Sequence, residues 1–474
     1  MAPRKEDVGT FIRRQNADTL SALLLELASE HLEVRQRLER LQLVDQPDRL
    51  AASFRKTLNG WRRQTRFLDY RASIEWAAEA EAWLSQIERE LLPRDPVSAV
   101  ALAEAFIECD ESIFNRADDS SGRIGNAMRS ACRLWLQAAA RCESPADVWP
   151  ARLRRLAEAD KFGAREALWL QADLLLSQVQ LRDLVAALER ELDAAAAAGS
   201  PFAGGYRPDL GALTLLSHAL RDPDIHVRAT LRRSPKPNSV QKQDFVLQYL
   251  DVGRPADALP WLEDPADWHP HTRLRLLAEV LKRLGQIDRS GPIQQQVFEQ
   301  TLAVDDFRTW LGHLAPADQP AAVSRARELA LDHDDPVTAA RLLMEIGCFT
   351  EAEQVLVAEP GRITGQDYNW LVPLSESLEA QQCRRGATAV VRALLEAILA
   401  KAYSPAYGHA ARYWHQLHAI ADHTPDWAPL QPHVEYIAAL RQKHARKTAF
   451  WAQVAKRQEP EAPDAGDGLE DDDA

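Results

Sequence analysis

YLDVGRPADALPWL at Tyr249–Leu262 and LMEIGCFTEAEQVL at Leu343–Leu356 are one phrase written twice. Val252–Gly253 aligns with Ile346–Gly347, an alanine follows each glycine by five residues (Ala258, Ala352), and a leucine follows by nine (Leu262, Leu356). A helix that ends in a left-handed residue favours glycine, because a Cβ is strained there. A small residue just inside the next helix lets the two helices approach closely. Leu284–Gly285 and Leu311–Gly312 read as related helix ends, so Gly253, Gly285, Gly312 and Gly347 recur every 27–35 residues. Helix hairpins repeated at that period bury a core only by stacking on their neighbours. The phrase therefore predicts an all-α fold: a tetratricopeptide-like helical-hairpin α-solenoid with an N-terminal helical segment.

Working outward, the N-terminal half reads as a succession of amphipathic helices. Leu20, Leu24, Leu27, His31, Val34, Leu38 and Leu41 fall at steps of three and four and predict one stripe, with His31 at the edge of a packed seam. A second helix from Ser73 to about Leu92 has Trp76, Ala80, Trp83, Ile87 and Leu91 on its inner face. Asp95–Pro96, Ser144–Pro145 and Asp335–Pro336 each place a capping side chain before a proline suited to the first helical position. Further helices are expected over roughly 122–142, 164–179 and 182–198. Breaks at 199–209 (GSPFAGGYRPD) and 232–240 (RRSPKPNSV) put the boundaries at an N-terminal helical domain 1–235, a helical-repeat domain 241–457 and an acidic tail 458–474.

The formal charge of −13 is concentrated at the end of the chain. Residues 458–474 carry eight acids and no base, whereas the other 457 residues hold 62 acids against 57 bases. With Leu469 as its one large apolar residue, the tail is expected to remain unfolded. A mildly acidic body lacks the basic footprint of a dedicated nucleic-acid binder. Cys109, Cys132, Cys142, Cys348 and Cys383 are scattered and form no CxxC, which predicts a reducing compartment without disulfides. MAPRKEDVGT at the start has no apolar run and no window approaches a membrane span, so a cytoplasmic location without membrane contact is expected.

Three stretches could carry chemistry. In FRKTLNGWRRQTRFLDYRAS (Phe54–Ser73), Arg55, Lys56, Arg62, Arg63, Arg66 and Arg71 are interleaved with Trp61, Phe67 and Tyr70. Arginine among rings contacts phosphates and stacks on bases, but it also builds helix corners with the rings inside and the guanidinium groups paired to acids. The corner is the favoured reading. HAARYWHQLHAIADH (His409–His423) sets His415, His418 and Asp422 at helical spacing, three metal-ligand types without an evident fourth. DDSSGRIGN at 118–126 lacks the oxygen ligands of a calcium loop and reads as a turn. Walker loops, dinucleotide fingerprints and nucleophile elbows are absent from the sequence, so neither a catalytic residue nor a cofactor site is assigned.

WRRQTRFLDYRAS at Trp61–Ser73, together with YGHAARYWHQL and HVEYIAALRQKHARKTAFW within Tyr407–Trp451, resembles a family of uncharacterised bacterial helical proteins. That family is similar to the helical region following the zinc finger in some SWIM-type proteins. The CxCx…CxH finger is missing here, so no zinc or DNA-binding role carries over. The resemblance implies the helical architecture and no activity. The functional expectation is a non-enzymatic scaffold whose groove binds a protein or peptide partner. The alternative is an RNA- or DNA-associated factor using Arg55, Trp61, Arg62, Arg63, Arg66, Tyr70 and Arg71 with the C-terminal run Arg441, Lys443, Arg446 and Lys447; a metal-dependent enzyme at His415 and His418 is third.

Overall fold

The computed structural model describes residues 8–43, 45–143, 145–197 and 208–456. Every regular element among them is helical, and the single pairing of extended backbone is a parallel bridge between Leu68 and Ala117. The all-α expectation holds. The acidic tail, Ser144 and most of the 199–209 break lie outside the described residues.

Six helices beginning at Pro208, Ser239, Pro270, Val304, Pro336 and Tyr368 start 31 to 34 residues apart, and each is followed by a second helical segment. In five of the six pairs the chain turns the corner through one left-handed residue: Arg221 (φ 52°), Gly253 (76°), Gly285 (74°), Gly347 (78°) and Gln382 (62°). The amide after it then donates to a carbonyl five residues back, as in Arg254 to Tyr249 (2.8 Å), Cys348 to Leu343 (2.8 Å) and Cys383 to Leu378 (2.9 Å). This double-bonded ending satisfies carbonyls that a helix terminus leaves open. The residue five places beyond is buried every time, as His226, Ala258, Ser290, Ala352 and Ala387. Leu262 and Leu356 are fully buried, as the repeated phrase requires.

Two corrections follow. Gly312 is right-handed (φ −67°) and caps the Val304–Leu311 helix without a left-handed turn. The other concerns residue type: Arg221 and Gln382 make the same left-handed turn without glycine. By packing, the chain divides into two units, Met1–Arg254 and Pro255–Ala474, at the Gly253 turn itself.

In the first unit the core is rich in tryptophan. The Pro47–Arg63 helix buries Leu50, Ala51, Phe54, Leu58 and Trp61. Trp76, Ala80, Trp83, Ile87 and Leu91 are all buried as expected, the last two on a π-turn that continues the Tyr70–Gln86 helix. Asp95 accepts from the Ser98 amide and Asp335 from the Thr338 amide, both at 2.9 Å, so these two caps form. The Leu20–Leu41 stripe does not: the backbone extends at His31, separating Ala17–Glu30 from Leu32–Leu41. No residue of Ala17–Glu30 is buried, so His31 sits on an exposed break and not beside a seam. The helix expected over 164–179 is replaced by short turns at Ala167–Leu170 and Ala172–Leu174. Asp160 collects the amides of Phe162, Ala164 and Arg165, while the buried Arg165 guanidinium clasps Asp110 through Nε (2.7 Å) and Nη2 (2.8 Å). Side-chain bonds hold this segment where a helical ladder was expected.

Candidate functional site

The basic-aromatic segment Phe54–Ser73 is only half a helix corner. Trp61 is buried, with ring centroids 5.6 Å from Trp76, 5.5 Å from Trp83 and 6.1 Å from Phe106. Arg62 is tied down, its Nη2 donating to the Ala105 carbonyl (2.7 Å) and its Nε to Cys109 Sγ (3.0 Å). Arg71 pairs with Glu75 at 3.1 Å across an exposed helix turn. Arg55, Lys56, Arg63 and Arg66 are different. All four are exposed, and no carboxylate among the described residues pairs with them. Phe67 is 60% exposed and Tyr70 53%. The expected neutralisation by neighbouring acids is therefore met only at Arg71, Arg62 being held by a carbonyl and a thiol, and the segment presents unpaired positive charge beside two exposed rings. DDSSGRIGN is a turn, as expected: Asp119 accepts from the Ile124 and Gly125 amides (2.9 and 3.0 Å) and so caps the Arg123–Ala139 helix.

The C-terminal residues are arranged otherwise. His415 Nε2 lies 3.1 Å from the Val454 carbonyl, His418 Nδ1 lies 3.1 Å from His433 Nε2, and Asp422 caps the helix end. The structure does not gather His415, His418 and Asp422, and among the described residues no three His, Cys, Asp or Glu side chains are placed to hold a metal ion. Instead His418 and His433 belong to an aromatic cluster in which Trp427 stacks on His433 and Trp414 meets His418 edge-on at 5.1 Å. Burial and the neighbouring His418 and Arg392 bring His433 down to about 4. Of the basic run, Arg441 lies over Trp414 (5.3 Å) and Trp451 (5.6 Å), and Lys443 is 3.9 Å from Glu396. Arg446 is exposed and Lys447 half-buried.

A third site was not singled out from the sequence. The helices Val304–Leu311, Pro336–Glu345 and Tyr368–Ala380 are successive first helices of their hairpins, and each packs on the next. Across them runs an open groove of about 600 Å³, lined among others by Asp305, Arg308, Arg341, Met344, Phe349 and Trp370. Arg308 is bidentate to Glu345 at 2.7 Å through both nitrogens. Arg341 has no carboxylate partner among the described residues; its guanidinium carbon stands 3.9 Å from the ring centroid of Trp370, which is 54% exposed. Burial lowers the Arg341 pKa, against the pull of Asp305 and Asp335. The signal that could have found these residues is the 32-residue step from Val304 to Pro336 to Tyr368, which sets equivalent helices side by side. No helix among the described residues is long and apolar enough to cross a membrane.

The chain belongs to a family of unknown function, DUF6880, whose profile matches residues 13–203 and 241–453. No match is found to the curated proteins or to the solved structures. The expected membership of an uncharacterised family is thus met, and the match brings no activity with it.

Proposed function

Starting from that membership, we propose that the protein is a tetratricopeptide-like solenoid scaffold whose groove binds an extended peptide segment of a partner protein. The regular 31–34-residue spacing of the first helices supports the solenoid reading. The observation that carries the binding reading is Arg341 lying unpaired over the exposed Trp370 in a groove that crosses three such helices. A guanidinium held flat on a ring keeps its edge free for a carboxylate, and Trp370, Met344 and Phe349 offer apolar surface beside it. The partner segment is therefore one that carries an acidic side chain next to an apolar one. Selection of displayed random peptides on the immobilised full chain tests this. Enriched peptides should combine the two features and bind Arg341→Ala and Trp370→Ala about tenfold more weakly. Absence of enrichment, or equal binding to both variants, defeats the reading. A cytoplasmic location goes with this function and with five free thiols. The likeness to the helical region of SWIM-type proteins, and a bacterial source, rest on the sequence segments alone.

A second reading has its own observation: Arg55, Lys56, Arg63 and Arg66 stand unpaired beside Phe67 and Tyr70. In this reading the surface binds single-stranded nucleic acid, cations on the phosphates and rings on the bases. Counterion release makes such binding fall steeply between about 50 and 200 mM salt. Filter binding at the two salt concentrations, with Arg63→Glu and Arg66→Glu together, decides it: retention that is independent of salt or of these residues removes the reading.

A further inference from the structure

Two buried polar side chains in the second unit line a cavity, and each keeps one polar atom without a hydrogen-bond partner. Arg392 on the Arg384–Lys401 helix is 8% exposed, and Tyr436 on the His433–Lys443 helix is 7% exposed. Both line a cavity of about 580 Å³, a volume within the range of small-molecule sites. Arg392 Nη2 donates to the Gln431 carbonyl at 2.9 Å, but its Nε is buried without an acceptor. No carboxylate pairs with it among the described residues. The Tyr436 hydroxyl is likewise buried without a partner at hydrogen-bonding geometry, with the Glu396 carboxylate nearby. The guanidinium carbon is 4.1 Å from the Tyr436 ring centroid and 5.5 Å from that of Trp427, so two rings hold it in place. Burial depresses the Arg392 pKa and raises that of Tyr436, the latter helped by the nearby Glu396 carboxylate.

A charge taken out of water costs several kcal/mol unless it is paired. Ring faces and one carbonyl do not neutralise a guanidinium. The remaining charges at the cavity are Glu396 and Lys443, 3.9 Å apart; Glu396 also acts on Arg392 without pairing with it, and the three together leave the cavity with one net positive charge. The rest of the wall is largely apolar, with Ile363, Ala393, Ala397 and Leu430. One wall depends on Gly365: a Cβ there would lie 2.0 Å from the Ala393 carbonyl oxygen, so only glycine lets that loop rest on the helix.

We infer that this cavity is a binding site for a small organic monocarboxylate, its carboxylate received by Arg392 Nε and the Tyr436 hydroxyl and its short apolar body by Ile363, Ala393, Ala397 and Leu430. A single negative charge matches the one net positive charge of the cavity, and Glu396 disfavours a phosphate dianion. This site is separate from the Arg341–Trp370 groove and does not depend on the peptide reading. Thermal-shift titration and ligand-observed NMR on the full chain, with sodium hexanoate and sodium benzoate as probes and inorganic phosphate as comparison, provide the test. A monocarboxylate should raise the melting temperature progressively with the logarithm of its concentration, as any ligand of the native state does, while the NMR signals of binding saturate. Its affinity should fall about tenfold or more in Arg392→Met and about threefold to tenfold in Tyr436→Phe. If Arg392→Met does not fold, Tyr436→Phe and the NMR contact signals on the unaltered protein decide the matter. No rise in melting temperature and no saturable NMR signal with either carboxylate, unchanged affinity in Tyr436→Phe, or equally tight binding of phosphate would each overturn the inference.

Discussion

In Phe54–Ser73 the tryptophan is enclosed by other rings and four cations stay in water; in Tyr407–Trp451 Arg441 lies across the buried Trp414 and the half-buried Trp451. Nearly the same mixture of arginine and rings is thus resolved in opposite ways. The faces and edges of Trp61 are occupied by Trp76, Trp83 and Phe106, so no guanidinium can stack there. Trp414 and Trp451 meet at right angles, 5.1 Å apart, and leave a notch that Arg441 fills. Ring availability, more than charge count, decides whether an arginine is structural or is free to meet a partner.

The largest test of that contrast is truncation of the rings. Trp61→Ala and Trp414→Ala should each destabilise the protein by about 3–5 kcal/mol, because each deletes a side chain packed on several others. Urea denaturation measures both; a loss below about 1 kcal/mol at either would mean its cluster is not the core that the ring distances imply. Acidification should separate the two regions next. His433 is held down to about 4, so between the ordinary histidine value and that point the unfolded chain is protonated while the folded one is not. Stability from this group is complete above about pH 6.5 and declines as the pH falls toward 4. His226, His418 and His444 are lowered too, mainly by burial, so the melting temperature should fall from pH 7 to pH 5, and His433→Gln should make the slope shallower but not flat. A slope identical to that of the unaltered protein would remove His433 from the account.

Smaller effects sharpen the comparison. Arg441→Ala loses its stacking and should cost about 1–2 kcal/mol, whereas Arg63→Ala, exposed and unpaired, should stay within about 0.5 kcal/mol. Equal costs would erase the distinction between stacked and free cations. Changes of similar size are expected at a turn: Gln382→Gly should stabilise by roughly 0.5–1 kcal/mol by relieving a left-handed side chain, and Gly347→Ala should cost about 1–2 kcal/mol at the equivalent place. Chemical denaturation of the pair shows whether the two turns are equivalent.

Those turns also mark where the sequence was readable. Gly253, Gly285 and Gly347 announce left-handed helix ends, and Ala258 and Ala352 announce close packing, because glycine and alanine are chosen there for backbone and space. Gln382 and Arg221 occupy the same conformation, but neither residue type signals it; the surrounding hairpin supplies the energy that the local preference withholds. Gly312 fails in the other direction, since its residue type permits a left-handed turn that its neighbours do not require. The site residues divide likewise. Clusters contiguous in sequence, such as Arg55–Arg71, could be seen, while Arg341 with Trp370 and Arg392 with Tyr436 join residues from different helices.

By itself, then, the sequence determined what depends on local backbone preference and periodicity: an all-α chain, several hairpin ends, two helix caps and the inner face of the Trp76–Leu91 segment. The tertiary structure alone decided which cations find acids, rings or nothing. Pairing depends on distances of a few ångströms between helices remote in sequence, and helical periodicity carries no information about which neighbour will stand opposite a given face. For the same reason His415, His418 and Asp422 share a helical spacing and yet form no common site.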